Sequence, residues 1–242
     1  MRCNEKASGP RSVLDGHGAS MNRTAIEVVL VHGTSVVIPI MEEVIRAIDS
    51  RITVLHVVSE PLLKDLLAVC CITPEIKWRF VQLVVEAARR NPDLIVVTGS
   101  SFGPCVECAR ELVPVPVLRV DEEMAREAAA SGGRIAVVAT ESTTIDPTTA
   151  LIKQEAATLG KTINVDVILC EGALSLLRQG QPALHDARVL ECLERQGALD
   201  VDAIVLAQVS LARVQPQVEA LTGKRVFSSP STVARMVQAY LI

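Results

Sequence analysis

The amino-acid sequence predicts an α/β protein built as two pseudo-symmetric halves, each a mostly parallel sheet flanked by helices, with a ligand cleft between them. Three observations carry that prediction. Short β-branched runs alternate with helical segments, the pattern of a parallel sheet covered on both faces. Strand-and-loop segments recur at one long spacing, which marks a duplicated unit. The length, 242 residues, suits one large domain or two closely packed halves at the usual roughly 100–200 residues per domain.

Strands are expected at 26–31, 52–57, 94–97, 116–118, 134–139, 164–169, 203–207 and 225–227, each followed by something helical. The best-marked helix opens at Thr73-Pro74-Glu75. A hydroxyl there caps the first turn, proline loses no needed N–H, and an early acid meets the positive end of the helix dipole. Ile76, Phe80, Leu83, Val84 and Ala87 then share one face, and Asn91-Pro92 ends the helix near residue 90. The core must be aliphatic, because the AVILMFWYC set makes up 49% of residues while aromatics supply 2%.

The repeat is read from three segment pairs. DLIVVTGSS from Asp93 resembles DAIVLAQVS from Asp202, a spacing of 109 (202 − 93). IEVVLVHGT from Ile26 lies over IAVVATEST from Ile135, and Val117-Leu118 over Val226-Phe227, at the same 109 (135 − 26 and 226 − 117). The halves are therefore placed at 24–131 and 132–242, with the chain free to cross back between them at its C-terminus. Ligands of open parallel sheets sit beyond the carboxyl ends of strands, so the loops at 32–34, 98–101, 140–144 and 208–210 should face one another. Their binding candidates are Thr34, Thr98, Gly99, Ser100, Ser101, Thr140, Thr143, Thr144, Gln208 and Ser210. Hydroxyls, one amide and backbone N–H groups at helix N-termini suit a small carboxylate or a polar heterocycle.

Other classes are set aside by composition. With 24 Lys and Arg against 28 Asp and Glu, the chain lacks the basic excess of a nucleic-acid binder, and few aromatics are available for stacking on bases. No apolar run reaches the ~18 residues of a membrane span, so neither nucleic acid nor membrane is an expected partner. A small-molecule substrate and a homo-oligomer are. Residues 1–23 hold Arg2, Lys6, Arg11 and Arg23 without an apolar stretch, which reads as a disordered tail rather than a secretory signal, with Met21 as an alternative start. Seven scattered cysteines are unlike a secreted disulfide framework and point to reduced thiols in a cytoplasm.

The segments Thr98-Gly-Ser-Ser-Phe-Gly-Pro104, Ala139-Thr-Glu-Ser-Thr-Thr144, Glu171-Gly-Ala173 and Leu206-Ala-Gln-Val-Ser210 together resemble the aspartate/glutamate/hydantoin racemase superfamily, from about Ile26 to the C-terminus. The resemblance implies two pseudo-symmetric α/β halves and no organic cofactor. In the usual racemase it also implies one cysteine after the third strand of each half, the two thiols facing opposite sides of the substrate α-carbon. This chain departs from that pattern at both places. The first, Thr-Cys-Ser-Ser in relatives, holds Gly99; the second, Gly-Cys-Thr in classical racemases, holds Gln208. A Leu-Ala-Gln-x-Ser branch shares the glutamine, and an arylmalonate decarboxylase branch shares the glycine but keeps the second cysteine. The resemblance thus implies a cofactor-independent enzyme acting on a small carboxylate, an amino-acid derivative or a hydantoin-like ring. Decarboxylation, isomerisation, elimination or ring-substituent hydrolysis fits better than two-thiol racemisation. A catalytically inactive homologue that binds a small anion is the alternative from another class, and a Cys105/Cys108 redox protein is a third.

Three residues are candidates for chemistry. His32 is the one histidine at an expected strand C-terminus, and its near-neutral pKa suits a general acid or base; the plainer reading is a hydrogen bond to a neighbouring loop. Glu141 falls 109 residues after His32 (141 − 32), so the cleft would offer a histidine from one half and a carboxylate from the other, against a capping or solvated role for the acid. Cys105 opens a Cys-Val-Glu-Cys pattern in a first helical turn, where a thiol pKa can fall, although small core side chains explain the pattern more simply. Of the remaining groups, Cys70 and Cys71 are read as one buried and one incidental thiol, Cys170 and Cys192 as core, Glu171 as a second acid, and His185 as the start of a surface helix. No Cys/His spacing suggests a metal site. Should His32 or a thiol face the space between Gly99 and Gln208, the enzyme reading gains; should only hydroxyls and amides do so, the binding reading gains.

Overall fold

The computed structural model describes residues 25–241, and the tail assigned to 1–23 lies outside them. Strands β1 (Ile26–His32), β2 (Ile52–Val58), β3 (Leu94–Val97) and β4 (Val117–Arg119) form one sheet in the order β2-β1-β3-β4. Strands β5 (Arg134–Ala139), β6 (Asn164–Leu169), β7 (Ala203–Leu206) and β8 (Arg225–Ser228) form a second in the order β6-β5-β7-β8. Every pairing is parallel, and all eight strands stand where the aliphatic runs predict them.

Side chains alternate between the faces of a strand, and both faces here are covered. Val29, Val31, Ile95 and Val97 enter one core cluster, whereas Val28, Leu30, Leu94 and Val96 enter another on the opposite face. That is why the strands read as continuous apolar runs. The covering helices are α1 (Ile38–Arg46), α2 (Glu60–Val69), α3 (Pro74–Ala88), α4 (Gly103–Arg110), α5 (Glu122–Ser131), α6 (Ile145–Thr158), α7 (Ala173–Arg178), α8 (Pro182–Glu194), α9 (Gln215–Thr222) and α10 (Ser229–Leu241). In α3 the Thr73 hydroxyl accepts the Ile76 N–H at 3.2 Å, and Ile76, Phe80, Val84 and Ala87 are buried with Val81. Leu83 is only half-buried. The helix stops at Ala88, and Asn91 turns left-handed at φ 54°.

The two repeats exchange their last helices. Met124, Ala125, Ala128 and Ala129 of α5 pack with the strands of the second sheet, while Val233 and Val237 of α10 pack with those of the first. An ion pair between Glu127 and Arg235 joins the two helices. A boundary at 131/132 therefore separates the repeats in sequence but not the cores in space.

The spacing of the repeat is also not uniform. Leu94 and Ala203, 109 apart (203 − 94), oppose Val28 and Ile135, which are 107 apart (135 − 28). The following 3-10 turns start at Ser35 and Ser142, again 107 apart (142 − 35). In the next strand pair, Val54 and Val165 oppose those same residues at 111 (165 − 54). Glu141 is thus the counterpart of Thr34, and His32 that of Ala139, which corrects the His32–Glu141 pairing read from the sequence. A shift of two residues keeps every side chain on its own face of a strand, so apolar matching cannot detect it. No helix among the described residues is long and apolar enough to cross a membrane.

Candidate functional site

The loops after β1, β3, β5 and β7 leave the centre of each sheet where the strand order reverses, the place where open α/β sheets bind ligands. Each loop is built alike: one extended residue, a 3-10 turn, then a helix. The extended residues are Thr34, Gly99, Glu141 and Gln208. The four loops line a cleft that opens to solvent. Of the residues expected there, Thr34, Thr98, Gly99, Ser100, Ser101, Glu141, Thr143, Thr144, Gln208 and Ser210 line it. Thr140 does not; it is buried behind Gln208, whose amide oxygen accepts from the Thr140 N–H at 2.6 Å and from its hydroxyl at 2.9 Å. These two bonds orient the amide and leave its NH2 group as the available donor.

Across the cleft the Ser101 and Thr143 hydroxyls lie 3.0 Å apart and hydrogen-bond one half to the other. Thr144 donates its hydroxyl to the Glu141 carbonyl at 3.1 Å. Among the described residues Glu141 is the one ionisable side chain in the lining. Burial pushes its carboxyl above the usual carboxylate range, against the pull of Arg178 in the last turn of α7. Arg178 is exposed and also acts on Glu60, whose carboxylate is held low mainly by the Ser35 N–H and hydroxyl. One cation therefore stands near two acids, one contributed by each half.

Sequence reading missed the apolar part of the wall: Val37, Leu63, Phe102, Leu174 and Val209. Phe102 lies over two glycines. A Cβ at Gly33 would come 3.0 Å from Phe102 Cε2 and 3.4 Å from Leu63, and one at Gly99 would come 3.1 Å from Phe102 Cδ2. The ring stacks on Phe80 with centroids 5.1 Å apart, which anchors it in the first core. Leu63 on α2 and Leu174 on α7 stand 111 apart (174 − 63), the spacing of β2 and β6, so they are equivalent residues of two equivalent lid helices. That spacing marks them as equivalent residues, but nothing in the sequence places either one at the cleft.

Comparison with protein families matches residues 26–237 to the Asp/Glu/Hydantoin racemase family. This chain belongs to that family. Solved structures of similar fold include a glutamate racemase of Bacillus anthracis, with TM-score 0.71 and 17% identity over 90% of this chain and 82% of that one. A glutamate racemase of Francisella tularensis in complex with D-glutamate gives 0.70 and 11% over 90% and 81%. An allantoin racemase of Klebsiella pneumoniae gives 0.64 and 18% over 89% and 87%. Comparison with curated protein sequences gives no match.

Within this racemase-family fold the other chemical candidates lie away from the cleft. His32 is 1% exposed and sits behind Thr98 rather than in the lining. The Thr98 hydroxyl donates to the Val31 carbonyl at 3.2 Å, so it accepts from His32 Nδ1–H at 2.7 Å; His32 Nε2 then accepts from His56 Nδ1–H at 2.9 Å. Burial, then the neighbouring His56, lowers the His32 pKa to about 4. The ring is neutral, bonded at both nitrogens, and positions Thr98. This replaces the expectation that it meets the ligand.

Cys105 is buried in the core against α3, with its thiol pushed up to about 11 by burial, and Cys108 packs on the same cluster. A thiol so placed is inert, which removes the ground for the Cys105/Cys108 redox reading. Cys70 and Cys71 are both exposed, and His185 is fully buried with Nδ1 2.8 Å from Asp186, each contrary to expectation. Cys170 is buried and Cys192 half-buried in one core, and Glu171 is exposed outside the lining. Among the described residues no three His, Cys, Asp or Glu side chains gather as metal ligands.

Proposed function

We propose that this member of the family is a cofactor-independent enzyme that moves one proton on a small carboxylate, an amino-acid derivative or a hydantoin-like ring, with Glu141 as its one acid–base group. The observation that carries this reading is that, among the described residues, Glu141 alone of the cleft-lining side chains can take up or release a proton, and burial raises its pKa above the ordinary value. Gly99 and Gln208, the places where the resemblance puts thiols, have no such capacity. The hydroxyls of Ser101, Thr143 and Ser210 and the Gln208 amide supply donors for a carboxylate or for the oxyanion that forms beside a carbanion. A carboxyl raised by burial keeps more of its proton toward neutrality, and that proton can pass to the α-carbon from one side. Decarboxylation, isomerisation and elimination need no more than one such group. The six described cysteines are free thiols, which supports a reducing compartment such as the cytoplasm.

A second reading, a non-catalytic binder of a small anion, draws on a lining that holds no imidazole or thiol among the described residues. One experiment separates the two. The protein is incubated in deuterium oxide with a panel of small carboxylates and 5-substituted hydantoins, each enantiomer separately, and products are followed by chiral chromatography and mass spectrometry. Enzyme action gives turnover or deuterium uptake on one face, lost in Glu141→Gln. Binding without turnover or exchange, unchanged in that variant, supports the binder.

A further inference from the structure

The lining of the cleft is uneven, and the unevenness selects among small acids. At the corner formed by the loops after β1 and β3, the glycines 33 and 99 present bare backbone, Phe102 lies over both, and Leu63 closes the corner from α2. Leu174 from α7 and Val37 also line the cleft. The donors described above are the Ser101–Thr143 contact and the amide held by Thr140, and the loops that form the corner also bring the hydroxyls of Thr34 and Ser100 to the lining. Among the described residues no Lys, Arg or His lines the cleft; its one ionisable side chain is an acid, and Arg178 at the end of α7 is exposed and already acts on Glu141 and Glu60.

From this we infer that the substrate carries a single anionic or acidic group and one apolar substituent, and that the substituent lodges against Phe102 and Leu63. The inference rests on the cleft being the ligand site proposed above, and it narrows the substrate class. A dicarboxylate held by its first carboxylate at the hydroxyls finds no cation among the described lining residues for its second, and much of the remaining wall is apolar, with an aromatic ring and a leucine at the corner. An anion stripped of water and left unpaired is costly, whereas a branched alkyl or aryl group of the same size gains from leaving water. Glu141 adds repulsion against a second negative charge whenever it is ionised.

The test compares acids of one shape. In 4-methylpentanoate an isopropyl group stands where succinate has its second carboxylate, and 5-isobutylhydantoin is related to hydantoin-5-acetate in the same way. Titration calorimetry on the full chain should show the apolar member of each pair binding at least about tenfold more tightly. Leu63→Lys brings an ammonium into the corner at a half-buried position and should narrow or reverse both ratios; Leu63→Asn, which adds no charge, should weaken only the apolar member. Unchanged far-UV circular dichroism and melting temperature establish that each variant is folded, and either variant suffices. Equal or tighter binding of the dianionic or acid-bearing member by the wild type overturns the inference while leaving the cleft as the ligand site, and so does a ratio that neither variant moves. Binding of none of the four compounds overturns the cleft as the ligand site, and this inference with it.

Discussion

Thr34 and Gly99 in the first half occupy the same backbone positions as Glu141 and Gln208 in the second, yet the two pairs present different chemistry to one cleft. All four residues are extended and open a 3-10 turn at the end of a central strand. The first half has a hydroxyl and a bare backbone there, and it fills the adjoining space with Phe102 and Leu63. The second half has a carboxyl and an amide held by Thr140. Duplication of a scaffold settles where side chains point, and divergence at a few loop ends settles what they deliver. A symmetric cleft would present the same groups from both halves; this one presents an ionisable carboxyl from the second half and an apolar corner from the first.

Exchanging Glu141 for glutamine tests the chemical side of that contrast and should have the largest effect, a loss of about 10²–10⁴-fold in turnover, measured on whichever compound of the panel reacts. The same variant should be the more stable protein at neutral pH. Because burial raises the Glu141 pKa in the folded state, its contribution favours folding below the ordinary carboxylate pKa and is lost as pH rises. Urea melts at pH 4 and pH 7 should therefore show the variant's gain at pH 7 alone; a gain of equal size at both would mean the carboxyl is not perturbed.

On the packing side, Phe102→Ala removes a ring that is 2% exposed and stacked on Phe80 and should cost about 3–5 kcal/mol in urea unfolding. A loss below about 1 kcal/mol would show that the corner has room to collapse. A third effect belongs to the first half alone, since His32 has Ala139 as its counterpart. With its pKa lowered to about 4, His32 adds stability that is present above pH 6.5 and lost as pH falls toward 4, on the order of 3 kcal/mol at most. His56, also lowered by burial, acts in the same direction. His32→Gln should flatten the wild-type decline between pH 6.5 and 4; an unaltered decline would place its origin elsewhere.

The smallest effect lies where the halves touch. Ser101→Ala and Thr143→Ala each remove a hydroxyl pair that bridges them. Each should cost roughly 0.5–1.5 kcal/mol of stability, and the double variant should cost less than the sum of the two. With a bound carboxylate the loss of affinity should be larger, roughly 1–3 kcal/mol by calorimetry, because a desolvated oxygen loses its donor. Additive stability effects would mean the two hydroxyls do not bond in solution.

Much of this molecule was legible before its structure. Every strand, the Thr73 cap and the meeting of four loops follow from aliphatic alternation, capping chemistry and the rule that places ligands at strand carboxyl ends. The register of the repeat was not legible at β1 and β5, because strands with a two-residue period match equally well when shifted by two. That ambiguity paired His32 with Glu141 and made a buried ring look like a partner in catalysis. Cys105 misled for a related reason: a first helical turn can activate a thiol, but only the packing against α3 tells which side of the turn it faces.

What the sequence determined by itself was the class of fold, its duplication, and which loops meet, since these depend on period and polarity, properties carried by each segment alone. What only the tertiary structure decided was which side chains share the cleft. Leu63 and Leu174 come from lid helices far in sequence from the loops they cover, α5 and α10 change places between the cores, and Thr98 screens His32 from the ligand space. These outcomes depend on distances between segments that fold separately and pack together, and no local pattern encodes such distances.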